Sequence, residues 1–81
     1  MGTVVYQDGF NLIIRPKERS HKHLPHCHAV GGGFEARIHL ETFEVLTNSG
    51  FSRNDMRKII DAVRFHRDEL MDKWREYHGQ E

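Results

Sequence analysis

Apolar and polar side chains alternate over residues 34–40, and this pattern constrains the fold of the chain more than any other feature. The apolar positions are Phe34, Ala36, Ile38 and Leu40, and the polar ones between them are Glu35, Arg37 and His39. Successive side chains of a strand point to opposite faces, so this segment predicts a half-buried antiparallel strand.

Further short β-branched and aromatic runs, separated by turn signals, predict the rest of a sheet. Asp8–Gly9 is a tight-turn signal, Pro16 ends the strand before it, and Gly31–Gly33 supply another turn. The predicted strands are Val4–Tyr6, Phe10–Ile14, His26–Val30, Phe34–Leu40 and Phe43–Thr47.

A helical apolar stripe then predicts one helix over Arg53–His78, with Ser52 as its N-cap. At ~1.5 Å per residue this helix is about 39 Å long, whereas the predicted strands span roughly 17–23 Å. We therefore expect either a break near His66–Asp68 or burial of Trp74 and Tyr77 against a second copy, which would be a homodimer through the C-terminal helix.

The predicted fold class is α+β, an antiparallel meander of four to five short strands with a C-terminal amphipathic helix packed on one face. We expect one domain over residues 1–81, because a chain of this length builds one small core. The predicted core is Phe10, Leu12, Ile14, Phe34, Ala36, Ile38, Leu40, Ile59, Ile60, Val63 and Leu70.

Composition narrows the function classes. No apolar run reaches the ~20 residues needed to cross a bilayer, and no signal peptide is recognisable, so we expect no membrane contact. The single Cys27 cannot form an internal disulfide, which favours a cytoplasmic setting. The net charge of zero with neutral histidines argues against tight, nonspecific binding of nucleic acid.

Charge is nevertheless uneven along the chain. The segment between residues 15 and 28 carries a net charge of +3 before any histidine is protonated. It holds Arg15, Lys17, Arg19 and Lys22 against Glu18. A local anion site and a plain solvated basic loop are both compatible with this segment.

Four of the seven histidines cluster in the same segment, at His21, His23, His26 and His28. Histidine changes charge near neutral pH and is the commonest metal ligand, so the cluster is the place to look for chemistry. On a strand, His26 and His28 share one face and Cys27 lies on the other. In a hairpin of residues 26–30 with 34–40, this polar face would also hold Arg37 and His39, subject to register.

Three interpretations of the cluster remain open. In the first, His23, His26 and His28 hold zinc or nickel. In the second, His26, His28 and Arg37 catalyse acid–base chemistry on a phosphodiester, as in a small ribonuclease that uses no metal. In the third, the imidazoles only donate to backbone carbonyls or cover a sheet face, and the protein has no cofactor.

Several motifs, in order, resemble the small bacterial domain-of-unknown-function family numbered four-one-six-zero. They are the Pro-His-x-His-Ala signature at Pro25–Ala29, the glycine turn and Glu-Ala pair within Gly31–Ala36, the strand Phe43–Leu46, and the helical pattern His66–Trp74. The family places another histidine where this chain has Lys22, and either His21 or His23 would take its place.

The resemblance implies a function through genetic association, because genes of this family often lie beside another small uncharacterised domain in pairs that resemble toxin–antitoxin modules. We therefore expect a cytoplasmic bacterial or mobile-element protein that acts through a cognate small protein partner, with the His26/His28 patch as its functional surface. The alternatives are a histidine-dependent ribonuclease acting on RNA and a metal-binding module.

Overall fold

A computed structural model describes residues 3–7, 9–15 and 25–78 of the chain. Five strands form one antiparallel sheet in the order β1-β2-β3-β4-β5, and two helices follow. The elements are β1 Thr3–Gln7, β2 Phe10–Ile13, β3 His26–Gly31, β4 Phe34–His39, β5 Val45–Asn48, α1 Arg53–Phe65 and α2 Arg67–His78. The α+β class, the meander and the helix break of the sequence analysis are confirmed.

The glycine turn between β3 and β4 uses two residues rather than three. Gly32 and Gly33 both have positive φ, at 56° and 85°, which a two-residue turn between twisted strands requires. Gly31 belongs to β3 instead. A side chain is excluded at this position, because a Cβ there would overlap the carbonyl oxygen of Gly9. The glycine at position 31 therefore allows β2 and β3 to approach closely.

The strand β5 begins at Val45, two residues later than predicted, because Phe43 adopts a left-handed conformation. Its φ is 64°, which is uncommon for a residue with a side chain. The loop is closed by two backbone hydrogen bonds, from Phe43 to the His39 carbonyl and from His39 to the Glu44 carbonyl, both 2.9 Å. The Arg64 guanidinium lies 5.0 Å from the centre of the Phe43 ring and covers it.

Helix α1 begins at the predicted N-cap. Ser52 has an extended backbone, and its Oγ accepts a 3.0 Å hydrogen bond from the Asp55 amide. One side of α1 is buried through Met56, Ile59, Ala62 and Val63. These side chains join a core cluster whose members from the sheet region are Phe10, Leu12, Ile14, Cys27, Ala29, Ala36, Ile38 and Leu40.

The helical stripe is interrupted at His66, and this break lets the C-terminal part fold back onto its own chain. The His66 amide still reaches the carbonyls of Ala62 and Arg64, but α2 starts anew at Arg67. The Arg67 side chain donates to the Leu40 carbonyl at 3.2 Å and fastens the break to the end of the sheet. Trp74 is consequently buried within the chain, as the first of our two alternatives predicted.

The predicted core is confirmed at nine of its eleven positions, and two require correction. Phe34 is 42 % exposed at the hairpin tip, where its ring packs on Phe51 instead of entering the core. Ile60 is only half-buried because it lies beside the apolar stripe of α1. The predicted core also left out six buried residues, and two of them become buried only after the chain turns at His66. The six are Cys27, Ala29, Met56, Ala62, Met71 and Trp74, of which the last two follow the turn.

We predict that Ile38→Ala lowers the free energy of unfolding by about 2–5 kcal/mol, because Ile38 is fully buried between sheet and helix. Urea denaturation of wild type and variant measures this difference. Ile60→Ala is the matched control, and its loss should be clearly smaller because that side chain is only half-buried. Equal losses would contradict the assignment of Ile38 to the core face.

Candidate functional site

The register of the β3–β4 hairpin brings the polar residues of both strands to one face. His26 lies opposite His39, His28 opposite Arg37, and Val30 opposite Glu35. The sequence-based expectation that His26, His28, Arg37 and His39 share a face is therefore confirmed. Cys27 lies opposite Ile38 on the other face, inside the core.

The two histidines of the signature, which the sequence analysis predicted to be the functional surface, are buried. His26 is 1 % exposed and His28 is 3 % exposed. The indole of Trp74 and the ring of His28 each lie with their centres 5.2 Å from that of His26. Helix α2 therefore supplies a cover for the histidine face that the sequence pattern of the strands did not reveal.

Beside the buried imidazoles, an open cleft of about 390 Å³ contains the accessible polar groups of this face. Strands β3, β4 and β5 contribute to it, together with residues that come shortly after β2 and β5 in the chain. Its lining residues are Arg15, His28, Glu35, Arg37, Thr47, Asn48 and Ser49. We call this the arginine cleft, and it is the candidate functional site.

Two side chains hold Glu35 in the cleft, the imidazole of His28 and the guanidinium of Arg15. Its carboxylate oxygen Oε2 lies 2.6 Å from Nδ1 of His28 and 3.3 Å from a terminal nitrogen of Arg15. The position follows from the register, because Glu35 lies diagonally across from His28, within reach of a long side chain. Its side chain remains 39 % exposed, so the carboxylate faces both the buried histidine and solvent.

Arg37 lies two residues further along β4 on the same face. Its Nε donates a 3.2 Å hydrogen bond to Oγ1 of Thr47 on β5, which fixes the plane of the guanidinium. Within the described part of the chain, its two terminal nitrogens make no ion pair. The guanidinium fork is therefore available to a ligand in the cleft.

The far wall of the arginine cleft is fixed by the loop after β5. The Glu35 amide donates to Oγ of Ser49 at 2.8 Å. Oδ1 of Asn48 accepts from the amides of Gly50 and Phe51 at 3.1 and 2.9 Å. These bonds hold the polar side chains of the wall in place before any ligand binds.

His39 serves the fold rather than the cleft. Its Nδ1 accepts hydrogen bonds from the amides of Glu41 at 3.0 Å and Thr42 at 3.4 Å. A nitrogen that accepts from two N–H donors carries no proton, so the ring is the tautomer protonated on Nε2. His39 thereby closes the loop between β4 and β5.

The metal interpretation receives no geometric support from the described residues. Across residues 9–15 and 25–77, no group of three His, Cys, Asp or Glu side chains is placed to hold a metal ion. His23, one of the three predicted ligands, lies outside the described residues, as does His21. A zinc or nickel site that includes His23 stays a prediction.

Sequence reasoning did not choose five residues of the cleft, and the charged ones among them are Glu35 and Arg15. Glu35 was placed on the correct face but was not chosen, although it belongs to the Glu-Ala pair that carries the family resemblance. Arg15 was counted only in the basic segment. Ile13 lies opposite His28. Side chains two residues apart share one face of an extended strand, so alternation could have placed Arg15 beside the histidine.

The chemistry of the arginine cleft suits an anion. Two guanidinium groups face one carboxylate, so the cleft keeps a positive charge when Glu35 is ionised. A guanidinium donates in a planar fork that matches the oxygens of phosphate or carboxylate. Hydroxyl and amide side chains of Thr47, Asn48 and Ser49 can donate to the same ligand.

The fold is that of a small α+β domain whose sheet carries the arginine cleft on one face. The chain belongs to the family described as Domain of unknown function (DUF4160), whose model matches residues 9–75. No curated protein and no solved structure shows a significant match to the chain. No helix among the described residues is long and apolar enough to cross a membrane.

We predict that Cys27 does not react with iodoacetamide in the native protein between pH 7 and 9. Burial raises the pKa of its thiol from 9.0 to about 12, so the reactive thiolate is absent in this range. Labelling followed by mass spectrometry, with and without denaturant, measures this. Rapid native labelling at the denatured rate would show that the core face of β3 is open.

The raised pKa of Cys27 also makes the stability of the fold depend on pH. Because the pKa of the buried thiol exceeds that of the unfolded chain, the contribution of Cys27 to stability is complete below pH 9 and is lost as pH rises toward 12.

Proposed function

We propose that the protein binds single-stranded RNA through the phosphodiester backbone, as the RNA-binding component of a toxin–antitoxin-like pair. One observation carries this proposal: Arg15 and Arg37 line the same open cleft, and Thr47 fixes the guanidinium of Arg37. A fixed guanidinium in a cleft loses little conformational entropy when it binds a phosphate.

The charge of the chain supports a local phosphate site rather than general binding of nucleic acid. The whole chain has no net charge with neutral histidines, so long-range attraction to a polyanion is weak. Positive charge is instead concentrated in the sequence that starts at Arg15, where Lys17, Arg19 and Lys22 follow.

The cellular setting in this proposal rests on the family. Its genes often lie in pairs that resemble toxin–antitoxin modules, and members are small bacterial proteins. The proposal therefore places the chain in the bacterial cytoplasm. RNA is an abundant phosphodiester polymer there, and its single-stranded segments are accessible to a protein.

We predict that Arg37→Gln weakens the binding of a short single-stranded RNA by roughly tenfold, which corresponds to about 1.4 kcal/mol. The dependence of affinity on salt should also become shallower, by ~0.7 in the slope of log K against log salt concentration, because one phosphate contact is lost. Fluorescence anisotropy of a labelled RNA at several salt concentrations measures both effects.

The matched control is Arg57→Gln, which removes the same charge from an exposed position on α1, outside the cleft. It should leave affinity and salt dependence close to those of the wild type. Equal losses in the two variants would show nonspecific attraction, and no binding by the wild type would overturn the proposal.

A second candidate function is docking of the protein partner, and one exposed side chain favours it. Phe65 at the end of α1 is 84 % exposed and is in ring contact with His66 at 4.9 Å. Aromatic residues, phenylalanine among them, are enriched in the cores of protein interfaces.

If α1 docks the partner, Phe65→Ser should strongly reduce co-purification with the product of the neighbouring gene, whereas Val45→Thr, at the exposed edge of β5, should not. Recovery of the partner with both variants alike would exclude α1 as the docking helix.

A further inference from the structure

The two oxygens of the Glu35 carboxylate have different surroundings. Both polar contacts of the side chain in the described structure, from His28 and from Arg15, reach Oε2. Oε1 is thus the oxygen left to act on a ligand, and the side chain is exposed to the cleft. A carboxylate held by one oxygen and open at the other is positioned to take a proton.

Donors for a developing negative charge line the same cleft as this oxygen. Arg37 shares the face of β4 with Glu35, and its terminal nitrogens have no ion-pair partner within the described residues. Preorganised donors of this kind stabilise the negative charge that develops on the non-bridging phosphate oxygens during displacement at phosphorus. The cleft therefore joins a proton acceptor and an oxyanion donor, two of the groups that promote transesterification of RNA.

We propose that Glu35 is the general base of an RNA cleavage reaction that needs no metal ion, with Arg37 as the donor to the phosphate oxygens. This inference rests on the proposed binding of RNA and adds a reaction to it. It also shifts the acid–base role from His26 and His28, which are buried, to the carboxylate that the sequence analysis did not select.

The reaction balances without an oxidant, reductant or cofactor. Oε1 of Glu35 takes the proton of a ribose 2′-hydroxyl, and the 2′-oxygen attacks the adjacent phosphorus to form an O2′–P bond. The P–O5′ bond breaks, and the leaving 5′-oxygen takes a proton from water. The hydroxide left behind takes the proton from the Glu35 carboxylic acid, so the products are a 2′,3′-cyclic phosphate and a 5′-hydroxyl end.

His28 acts through Glu35 in this reaction. It is 3 % exposed and contacts the oxygen Oε2, not the open oxygen Oε1. Together with Arg15 it fixes the orientation of the carboxylate, which makes His28 a positioning residue.

The test uses the full chain in excess over a 5′-labelled single-stranded RNA of mixed sequence, in EDTA. We expect wild-type protein to produce fragments that end in 2′,3′-cyclic phosphate. Glu35→Gln should reduce the rate by at least 100-fold, the lower range for loss of a general base, and should leave RNA affinity within about threefold.

The matched control is Glu69→Gln. Glu69 on α2 also lies 2.6 Å from a histidine nitrogen, that of His66, but outside the arginine cleft. This variant should cleave RNA at the wild-type rate. A second test needs no variant, because RNA with a single 2′-deoxy nucleotide should resist wild-type protein at that linkage only.

The outcomes separate this inference from the proposed function. RNA binding without cleavage would overturn the reaction and leave the binding proposal intact, whereas no binding would overturn the binding proposal. Cleavage that survives Glu35→Gln, stops in EDTA or ignores the 2′-deoxy position would refute Glu35 as the base. If Glu35→Gln does not fold, the 2′-deoxy substrate and the EDTA condition still decide whether the reaction occurs.

Discussion

The pairing of β3 with β4 is the interaction on which the rest of the structure depends. Because side chains alternate along each strand, the register that places His28 opposite Arg37 also places Cys27 opposite Ile38. One set of pairs forms the core that α1 covers, and the other forms the histidine and arginine face. A slip by one residue would exchange the two faces and would remove core and cleft together.

Helices α1 and α2 pack differently against the two faces of this hairpin. Helix α1 covers the apolar face, and Trp74 of α2 reaches His26 on the polar one. The cover is partial, because His28 borders the open cleft while Glu35 and Arg37 remain accessible within it. This division leaves both histidines buried, with His28 in contact with Glu35, whereas the neighbouring charged side chains face the open cleft.

Elements with a strong local signal were predicted well from the sequence. The strand over residues 34–39, the N-cap at Ser52 and the break at His66 follow from alternation, a capping side chain and an interrupted apolar stripe. The late start of β5 was missed, because it depends on the left-handed Phe43 and on hydrogen bonds to His39. The arginine cleft lies on the hairpin face that the sequence analysis selected, and among its lining residues that analysis had chosen His28 and Arg37.

The sequence by itself determined the α+β class, the order of the elements and which residues share a face, since these depend on periodicity and turn chemistry within short segments. Only the tertiary structure decided that His26 and His28 are buried and that Glu35 meets Arg15, because burial and cross-strand contact depend on residues distant in the chain. Trp74 covers His26 from 48 positions away, and no local pattern contains that contact.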